Sequence, residues 1–499
     1  MAPRGFLVLT ALALALLLAA RAAGSGAVVH HAHAARSKAG SSAAGAAPVA
    51  RLALPGVTPA SELDGNARRA YDGRPPCRRG HACATVGRAV VLFGGSVVAS
   101  ALRNDTWVLS PAREAATGAG GGGSSATGWW WQYSTGHKGG PVARWGATLT
   151  APGVGKGLGE ASVRTALLFG GALRNAAGQD RVLEDAWEME LPAEEDEDGA
   201  VQWRELERAE GAAWPPARRS HSCVAFGASS LVVYGGAGQD GAPLGDAWVV
   251  DPRTVQWSPV TLPKGARSPA ARQGHSAVAY PANDALSSAK VSPRWAGRIT
   301  FPSMIVYGGR ARSKEVADDV WALTLGGGGG QWVLLDAGGG AKAGSDLSVA
   351  AARPAARSFH SAVIRDGFMF IFGGRAAEPA HVFDDLWVFS VLEAQWTRLG
   401  EARDQQLVGP RTDHCAALAG PSRMHMLVVA GADAAGRRRN DVVSLDLELD
   451  RWALVSSNLC EPPAPTAVIV LSLLILMAGF ACMLIQTNPL NRLRGYRPI

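Results

Sequence analysis

The chain has 499 residues, of which 47% are hydrophobic and 18% charged, and its formal net charge is +7 at pH 7. This apolar content supports a large folded core and excludes a wholly disordered chain. No basic stripe with interleaved aromatic residues accompanies the modest positive charge, so we expect no nucleic-acid partner. The 61 glycines and 16 tryptophans indicate repeated tight turns and repeated aromatic packing positions.

The first 23 residues have the layout of a secretory signal peptide. Arg4 is followed by an apolar run over 6–20 and then by small residues that suit cleavage. We therefore predict a signal peptide at 1–23 and a low-complexity linker at 24–76. An organellar transit peptide is the alternative, because the stretch rich in Ala, Ser and Gly over 24–60 contains no acidic residue.

A repeated unit occupies residues 77–457. Each unit has Arg-x-x-His, an apolar run ending in two glycines, an acidic residue two positions before a tryptophan, and a second tryptophan further on. The glycine pairs and first tryptophans of five units are Gly94, Gly95 and Trp107; Gly170, Gly171 and Trp187; Gly235, Gly236 and Trp248; Gly308, Gly309 and Trp321; and Gly373, Gly374 and Trp387. The sixth unit has Ala430, Gly431 and Val443 instead, and the second unit has Ala147 in place of the histidine.

Each of these units predicts four strands. Apolar runs rich in β-branched and aromatic residues are typical of strands buried on both faces, and the glycines allow a sharp exit from the strand. A four-stranded sheet cannot bury both of its faces alone, whereas sheets arranged radially around an axis bury their faces and protect their edges. Six units therefore predict a closed ring of six sheets with aromatic side chains wedged between neighbours.

The markers together resemble the kelch repeat, over roughly residues 77–457. The resemblance implies an all-β fold, a six-bladed kelch-type β-propeller, and a role in protein recognition. We expect the recurrent Arg and His to satisfy buried carbonyl groups, because a residue needed in every blade is a poor candidate for a single catalytic role.

Cysteine positions suggest how the ring closes. Cys77 precedes the repeats and Cys460 follows them, so a disulfide between the two would tie the ends of the ring together. Free or differently paired thiols are the alternative, because five luminal cysteines cannot all pair with one another. Asn104 begins an N-glycosylation sequon that overlaps the first acidic-x-Trp signature, so packing of that segment would limit its use.

An uncharged run of 20 residues at 466–485 predicts a single C-terminal transmembrane α-helix. At about 1.5 Å per residue it is long enough to span a hydrocarbon core about 30 Å thick. Arginines follow it, so the positive-inside rule predicts a cytosolic tail at 486–499 and a juxtamembrane linker at 458–465. The prediction is a single-pass type I membrane protein with a luminal or extracellular propeller; a removed C-terminal anchor signal is the disfavoured alternative.

The favoured function is a membrane-tethered module that binds a protein, a glycoprotein or a glycan. The loops between second and third strands supply the candidate binding residues, which are Arg174, Gln239, Asp240, Arg310, Arg312, Arg375, His381, Arg437, Arg438 and Arg439. The arginines among them favour an acidic partner or a sulfated glycan. The oligomeric state stays open.

Two other functions remain as alternatives. The first is a carbohydrate-active enzyme similar to the galactose-oxidase-type propellers, whose copper chemistry requires tyrosine, cysteine and histidine partners. The second is a passive structural component of an endomembrane. Tyr234 and Tyr307 stand at core strand positions, and no nucleophile elbow, metal-binding helix or phosphate loop stands out. We therefore predict no catalytic residue, no metal site and no cofactor.

Overall fold

The computed structural model describes residues 74–97, 101–111, 129–134, 139–153, 163–175, 177–193, 200–227, 230–280, 302–326, 329–339, 353–377, 381–399, 408–420, 423–457 and 460. The predicted signal peptide, transmembrane helix and cytosolic tail lie outside these residues, as does most of both linkers. Within the described ranges, no helix is long and apolar enough to cross a membrane.

Six antiparallel sheets of four strands each form the blades of a propeller. In chain order, blade 1 contains β1 (Ala82–Val86), β2 (Ala89–Phe93), β3 (Thr106–Pro111) and β4 (Trp129–Ser134), and blade 2 contains β5 (Thr148–Thr150), β6 (Thr165–Phe169), β9 (Ala186–Glu190) and β10 (Gln202–Leu206). A hairpin of β7 (Ala172–Arg174) and β8 (Asp180–Val182) lies between β6 and β9. Blade 3 contains β11 (Ser222–Phe226), β12 (Ser230–Tyr234), β13 (Ala247–Asp251) and β14 (Gln256–Pro259).

The remaining blades have the same antiparallel order. Blade 4 contains β15 (Ser276–Tyr280), β16 (Ser303–Tyr307), β17 (Val320–Gly326) and β18 (Gly329–Asp336), and blade 5 contains β19 (Ser361–Arg365), β20 (Phe368–Phe372), β21 (Leu386–Ser390) and β22 (Gln395–Leu399). Blade 6 contains β23 (Cys415–Ala419), β24 (His425–Ala432), β25 (Arg438–Asp446) and β26 (Arg451–Ser456). The predicted all-β, six-bladed propeller is thus confirmed.

The first strand of each blade lines the axis of the ring. Strand β1 contacts β5 and β23, β11 contacts β5 and β15, and β19 contacts β15 and β23, so the inner strands form a closed circle. Every blade takes its four strands from its own repeat unit, and within the described residues the first and last blades exchange no strand.

A clamp inside each blade explains the spacing of the repeat markers, and blade 5 is representative. The Arg357 side chain is fully buried and holds both Asp385 carboxylate oxygens, at 2.6 and 2.9 Å. It also donates to the carbonyl oxygens of Gly373 and Ala355, both at 3.0 Å. The indole N–H of Trp387 donates to the same carboxylate at 2.7 Å, which is why the acidic residue stands two positions before the tryptophan. One guanidinium thereby joins the starts of the first and third strands to the end of the second.

The other five blades repeat this clamp. Its Arg–Asp pairs are Arg78–Asp105, Arg144–Asp185, Arg218–Asp246, Arg272–Asp319 and Arg411–Asp441. In blade 6, where Val443 replaces the tryptophan, Arg439 donates to the Asp441 carboxylate at 2.7 Å instead. Of the recurrent Arg and His that were expected to satisfy buried carbonyl groups, the arginine makes such contacts. The Nε2 atoms of four of the histidines lie beside hydroxyl groups instead.

In blades 2 to 6, the second tryptophan of the unit packs against the preceding blade. It contacts the aromatic residue at the end of that blade's second strand, with ring centroids 4.8–5.3 Å apart. The pairs are Phe93–Trp203, Phe169–Trp257, Tyr234–Trp332, Tyr307–Trp396 and Phe372–Trp452. These tilted aromatic pairs are the wedges between neighbouring sheets that the repeat pattern predicts.

In blades 3 to 6, the motif histidine joins its blade to the one before it. Its Nε2 lies 2.7–2.8 Å from a hydroxyl that directly follows the motif in the preceding blade. The pairs are His221–Thr148, His275–Ser222, His360–Ser276 and His414–Ser361. Where Ala147 replaces the histidine of blade 2, Ala82 replaces the hydroxyl of blade 1, so both partners are lost together.

Two disulfides join blade 6 to blade 1. Cys77 is bonded to Cys460, with Cα atoms 5.9 Å apart, and Cys83 is bonded to Cys415, at 6.2 Å. Cys415 stands where the other blades have Ala, Ser or Thr after the motif, and neither ring nitrogen of His81 has a hydrogen-bond partner among the described residues. The Cys83–Cys415 bond between inner strands therefore replaces the histidine–hydroxyl pair at this junction. The sequence analysis named only the first of the two bridges.

Candidate functional site: the mouth of the central channel

Six residues form a closed circle of backbone hydrogen bonds around the axis. They occupy the third position of each Arg-x-x-His motif and are Gly80, Gly146, Ser220, Gly274, Phe359 and Asp413. Each N–H donates to the carbonyl oxygen of the member before it at 2.6–3.1 Å, and Gly80 closes the circle by donating to Asp413. All six have φ between 53° and 66°, a conformation that favours glycine, so the three larger side chains stand out as exceptions.

The circle lines a cavity of about 130 Å³ on the channel axis. Other lining residues are Trp145, Ala147 and the five motif histidines. Burial, and after it the charge of Arg272, lowers the pKa of His275 to about 3, so this imidazole is neutral. Among the described residues, no group of three or more His, Cys, Asp or Glu side chains is arranged to hold a metal ion. Apart from His81, the histidines serve the contacts between blades through Nε2.

Asp413 is the acidic residue among those that line this cavity. Burial raises its pKa, although attraction to Arg375 and Arg79 opposes the rise. A carboxylate in such surroundings is a strong acceptor for a hydroxyl donor and a poor neighbour for a second anion.

Arginines surround the cavity mouth. The guanidinium of Arg375 lies 4.4 Å from the ring centroid of Phe359, and those of Arg219 and Arg174 lie 4.8 and 5.6 Å from the ring centroid of Trp145. Burial, followed by repulsion from Arg79 and Arg174, lowers the pKa of Arg438. We call Arg79, Arg174, Arg219, Arg375 and Arg438 the arginine arc.

Carboxylates lie close to some members of the arc. Burial lowers the pKa of Arg219, and Arg174 adds to this effect while Asp180 opposes it. Asp180 itself is bonded to Arg174, with N and O atoms 2.8 Å apart. Among the described residues, the carboxylates of Asp180 and Asp413 lie close to guanidiniums of the arc, and the clustered arginines favour the approach of an anion.

Several predicted binding residues shape the loops at this end of the propeller. The Gln239 side chain accepts from the Val182 N–H and donates to the Asp180 carbonyl oxygen, which ties the loop of blade 3 to the hairpin of blade 2. Asp240 accepts from a backbone N–H two residues further along its own turn. Arg437 pairs with Asp433 in the same loop.

Other predicted binding residues lie closer to the blade junctions or to solvent. Arg438 donates to the carbonyl oxygen of Ser96 in blade 1, and Arg439 pairs with Asp441. Arg310 and Arg312 lie in the loop of blade 4, where Arg312 is exposed. His381 is exposed and packs edge-on against Phe383.

Sequence reasoning missed the residues nearest the axis. Arg79, Trp145, Arg219, Phe359 and Asp413 occupy the second and third positions of the Arg-x-x-His motif, which vary while the first and fourth largely recur. That variation inside a strongly repeated motif is the signal that would have found them, because side chains of purely structural use would repeat.

Three further predicted features have defined positions. Asn104 is partly buried, and the hydroxyl of Thr106, two residues on, accepts from the Trp203 indole at 3.3 Å. Tyr234 and Tyr307 are fully buried between blades, where Phe93 and Phe169 stand in other units. Burial raises the pKa of both tyrosines, which fits core residues better than exposed redox ligands.

Comparison with known proteins gives several matches. Residues 283–475 match the family model for the KLHDC2/KLHL20/DRC7 Kelch-repeats domain. An F-box/kelch-repeat protein of Arabidopsis thaliana is 26% identical over 335 residues, or 64% of this chain and 55% of that protein. Adagio-like protein 1 of Oryza sativa subsp. japonica is 28% identical over 307 residues, or 60% of this chain and 39% of that protein.

The chain spans only about half, or less, of the length of these curated relatives. Among solved structures, that of YjhT matches with a TM-score of 0.50 and 15% identity, covering 77% of this chain and 98% of the other. At this identity the match shows the fold alone. Together with the six-bladed fold and the repeat signature, the family-model match and the curated relatives support a kelch-repeat β-propeller family.

Proposed function

We propose that this propeller is a membrane-tethered binding module whose channel-mouth face binds an anionic protein or glycoprotein partner on the luminal or extracellular side. Kelch propellers are generally protein-interaction modules. The observation that carries the proposal is the arginine arc around the cavity, because clustered guanidiniums that repel one another favour an anionic ligand.

The disulfides support a luminal or extracellular address. Four of the five described cysteines are bonded in two bridges that join the first blade to the last. Disulfides of this kind persist in oxidising compartments and are rare in the cytosol. The signal-peptide pattern at 1–23 and the uncharged run at 466–485 agree with that address and supply the tether.

The enzyme and passive-component hypotheses receive less support. The tyrosines that copper-oxidase chemistry would recruit are wedged between blades, and the histidines that keep Nε2 partners are occupied in the inter-blade pairs. A passive component would have no reason to gather arginines from five blades at one end of the ring.

Two measurements on full-length protein in intact membranes test the proposal. Protease protection and thiol labelling report which side carries the propeller. Cross-linking capture then compares the native chain with a variant in which Arg79, Arg219 and Arg375 are replaced by Gln, using Arg253→Gln as the matched control. Arg253 is exposed in the turn between β13 and β14.

We expect a luminal or extracellular propeller and a partner that is recovered with the native chain and the control only. A cytosolic propeller would overturn the assigned address. Identical capture lists for all three proteins would overturn the binding face.

A further inference from the structure

We propose that the channel-mouth cavity is a subsite for one sugar residue of a sulfated glycan, whose hydroxyls donate to Asp413 while its sulfate contacts the arginine arc. The inference rests on the proposed function, because it names the ligand class of the same face. Three features carry it: the disposition of the guanidiniums, the position of the carboxylate, and the size of the cavity.

The guanidiniums are held in place before any ligand arrives. The guanidiniums of Arg219 and Arg375 lie over the rings of Trp145 and Phe359, whereas Arg174, which also lies over Trp145, is held by its ion pair with Asp180. Stacking fixes the plane of a guanidinium, and a fixed plane presents paired N–H donors to the oxygens of an oxyanion. Little side-chain entropy is then lost on binding, which favours affinity.

The arc runs from blade to blade around the mouth. Arg375 and Arg79 both attract the Asp413 carboxylate electrostatically. Arg79 and Arg174 both repel Arg438, and Arg174 also repels Arg219. Blades 5, 1, 6, 2 and 3 each contribute one of these cations. A ligand with sulfate groups around a compact ring can therefore contact several arginines at once.

Asp413 decides which part of the ligand enters the cavity. Its carboxylate lies at the cavity wall, where a second negative charge would be repelled. Hydroxyl groups would instead satisfy it, as buried acceptors require. A glycan offers both groups, since its ring hydroxyls and its sulfate belong to the same residue. An acidic peptide would have to bring a carboxylate beside a carboxylate or leave the cavity empty.

The cavity is the right size for a hydroxyl-bearing edge of a sugar ring. Its volume of about 130 Å³ corresponds to about four water molecules in liquid. The glycines at 80, 146 and 274 keep its wall open, because they supply three members of the backbone circle without a side chain. Trp145 and Phe359 border it and provide apolar surface for the sugar C–H groups.

The test measures binding of defined probes to the full-length protein by titration calorimetry. The probes are a heparin-type sulfated tetrasaccharide, its desulfated counterpart, inorganic sulfate, and a peptide of consecutive glutamates. The variants are Arg79→Gln, Arg375→Gln and Asp413→Asn, with Arg253→Gln as a control at the opposite end of the ring. Asparagine tolerates the positive φ of 53° at position 413, so the backbone circle is kept. A thermal unfolding curve for each variant shows that it is folded.

We expect the sulfated tetrasaccharide to bind and desulfation to weaken it at least about tenfold, with each arginine variant costing about tenfold. Asp413→Asn should also weaken binding, because the amide accepts fewer hydroxyl donors, and Arg253→Gln should leave the affinity unchanged. Tighter binding by Asp413→Asn would overturn the inference, since it would mean that an anion enters the cavity. Equal affinity for the desulfated probe would overturn it as well.

The remaining outcomes separate this inference from the proposed function. If the tetrasaccharide does not bind but the glutamate peptide does, and that binding depends on the arc, the sugar subsite is overturned and the anion-binding face stands. If neither the binding of the two probes nor the capture of any partner depends on the arginine arc, the sugar subsite and the anion-binding face are both overturned.

Discussion

Replacing Arg357 by Leu removes the donor that organises blade 5. The guanidinium is fully buried and makes two bonds to Asp385 and one each to Gly373 and Ala355. Its loss leaves a largely buried carboxylate and two carbonyl oxygens without their donor. Breaking a buried pair by removing one partner costs about 3–5 kcal/mol, so we expect a loss of stability in that range.

The assay is urea unfolding followed by tryptophan fluorescence, with Arg204→Ala as the comparison. Arg204 pairs with Glu188 at 2.6 Å, but its side chain is 63% exposed, so removing it should cost less than about 1 kcal/mol. The double variant with Asp385→Leu should lose less than the sum of the single variants, because no unpaired charge remains. A loss for Arg357→Leu no larger than that for Arg204→Ala would refute the clamp as a source of stability.

Three further predictions concern other contacts. Gly374→Ala should destabilise the protein by more than about 3 kcal/mol, because the new Cβ would lie 2.7 Å from the Cβ of His360. Gly178→Ala has open space around the new Cβ and should cost only about 1 kcal/mol. Urea unfolding curves of the two variants, measured in parallel, test this difference. The pKa of His275 is lowered to about 3, so the folded state favours the neutral ring and loses stability as the pH falls below the ordinary value of 6.5. Between pH 7 and 5, the free energy of unfolding of the native chain should therefore fall by about 2 kcal/mol more than that of His275→Gln. An unchanged pH slope in the variant would contradict this. Replacing Cys83 and Cys415 by Ala should cost about 2–5 kcal/mol of stability, and protease cleavage should appear first in blades 1 and 6. Cleavage that appears first in another blade would contradict a role of this disulfide in holding the ring closed.

The repeat pattern was sufficient to predict the fold because its markers are structural. Arg, Asp and Trp recur since each blade needs the same clamp, and the second Trp recurs since each junction needs the same wedge. The distance from acid to tryptophan is fixed by a hydrogen bond, as Asp385 and Trp387 show. Such short-range constraints are visible in a single sequence, and six copies of them leave little ambiguity.

The second disulfide and the cavity could not be predicted as easily. Cys83 and Cys415 are 332 residues apart, and only the circular arrangement brings them together. Both cysteines follow the motif closely and lie on the first strand of their blade, which is the strand that lines the ring axis. This placement hints at their pairing, but Cys223 occupies the same position as Cys83 in its own blade and is unpaired. Which of the three would pair depended on knowing that the first and last blades are neighbours.

The cavity depends on how the ring breaks its own symmetry. Positions one and four of Arg-x-x-His are largely constant because they build the clamp and the inter-blade pair, and where the fourth changes to Ala147 its partner changes as well. The side chains at positions two and three have no part in the clamp or the inter-blade pair, and the circle of hydrogen bonds is made by backbone groups alone. These side chains are therefore free to differ from blade to blade, and Trp145, Phe359 and Asp413 among them line the cavity. A repeat protein can acquire a single binding site on its axis in this way, with its stability left in the positions that do not vary.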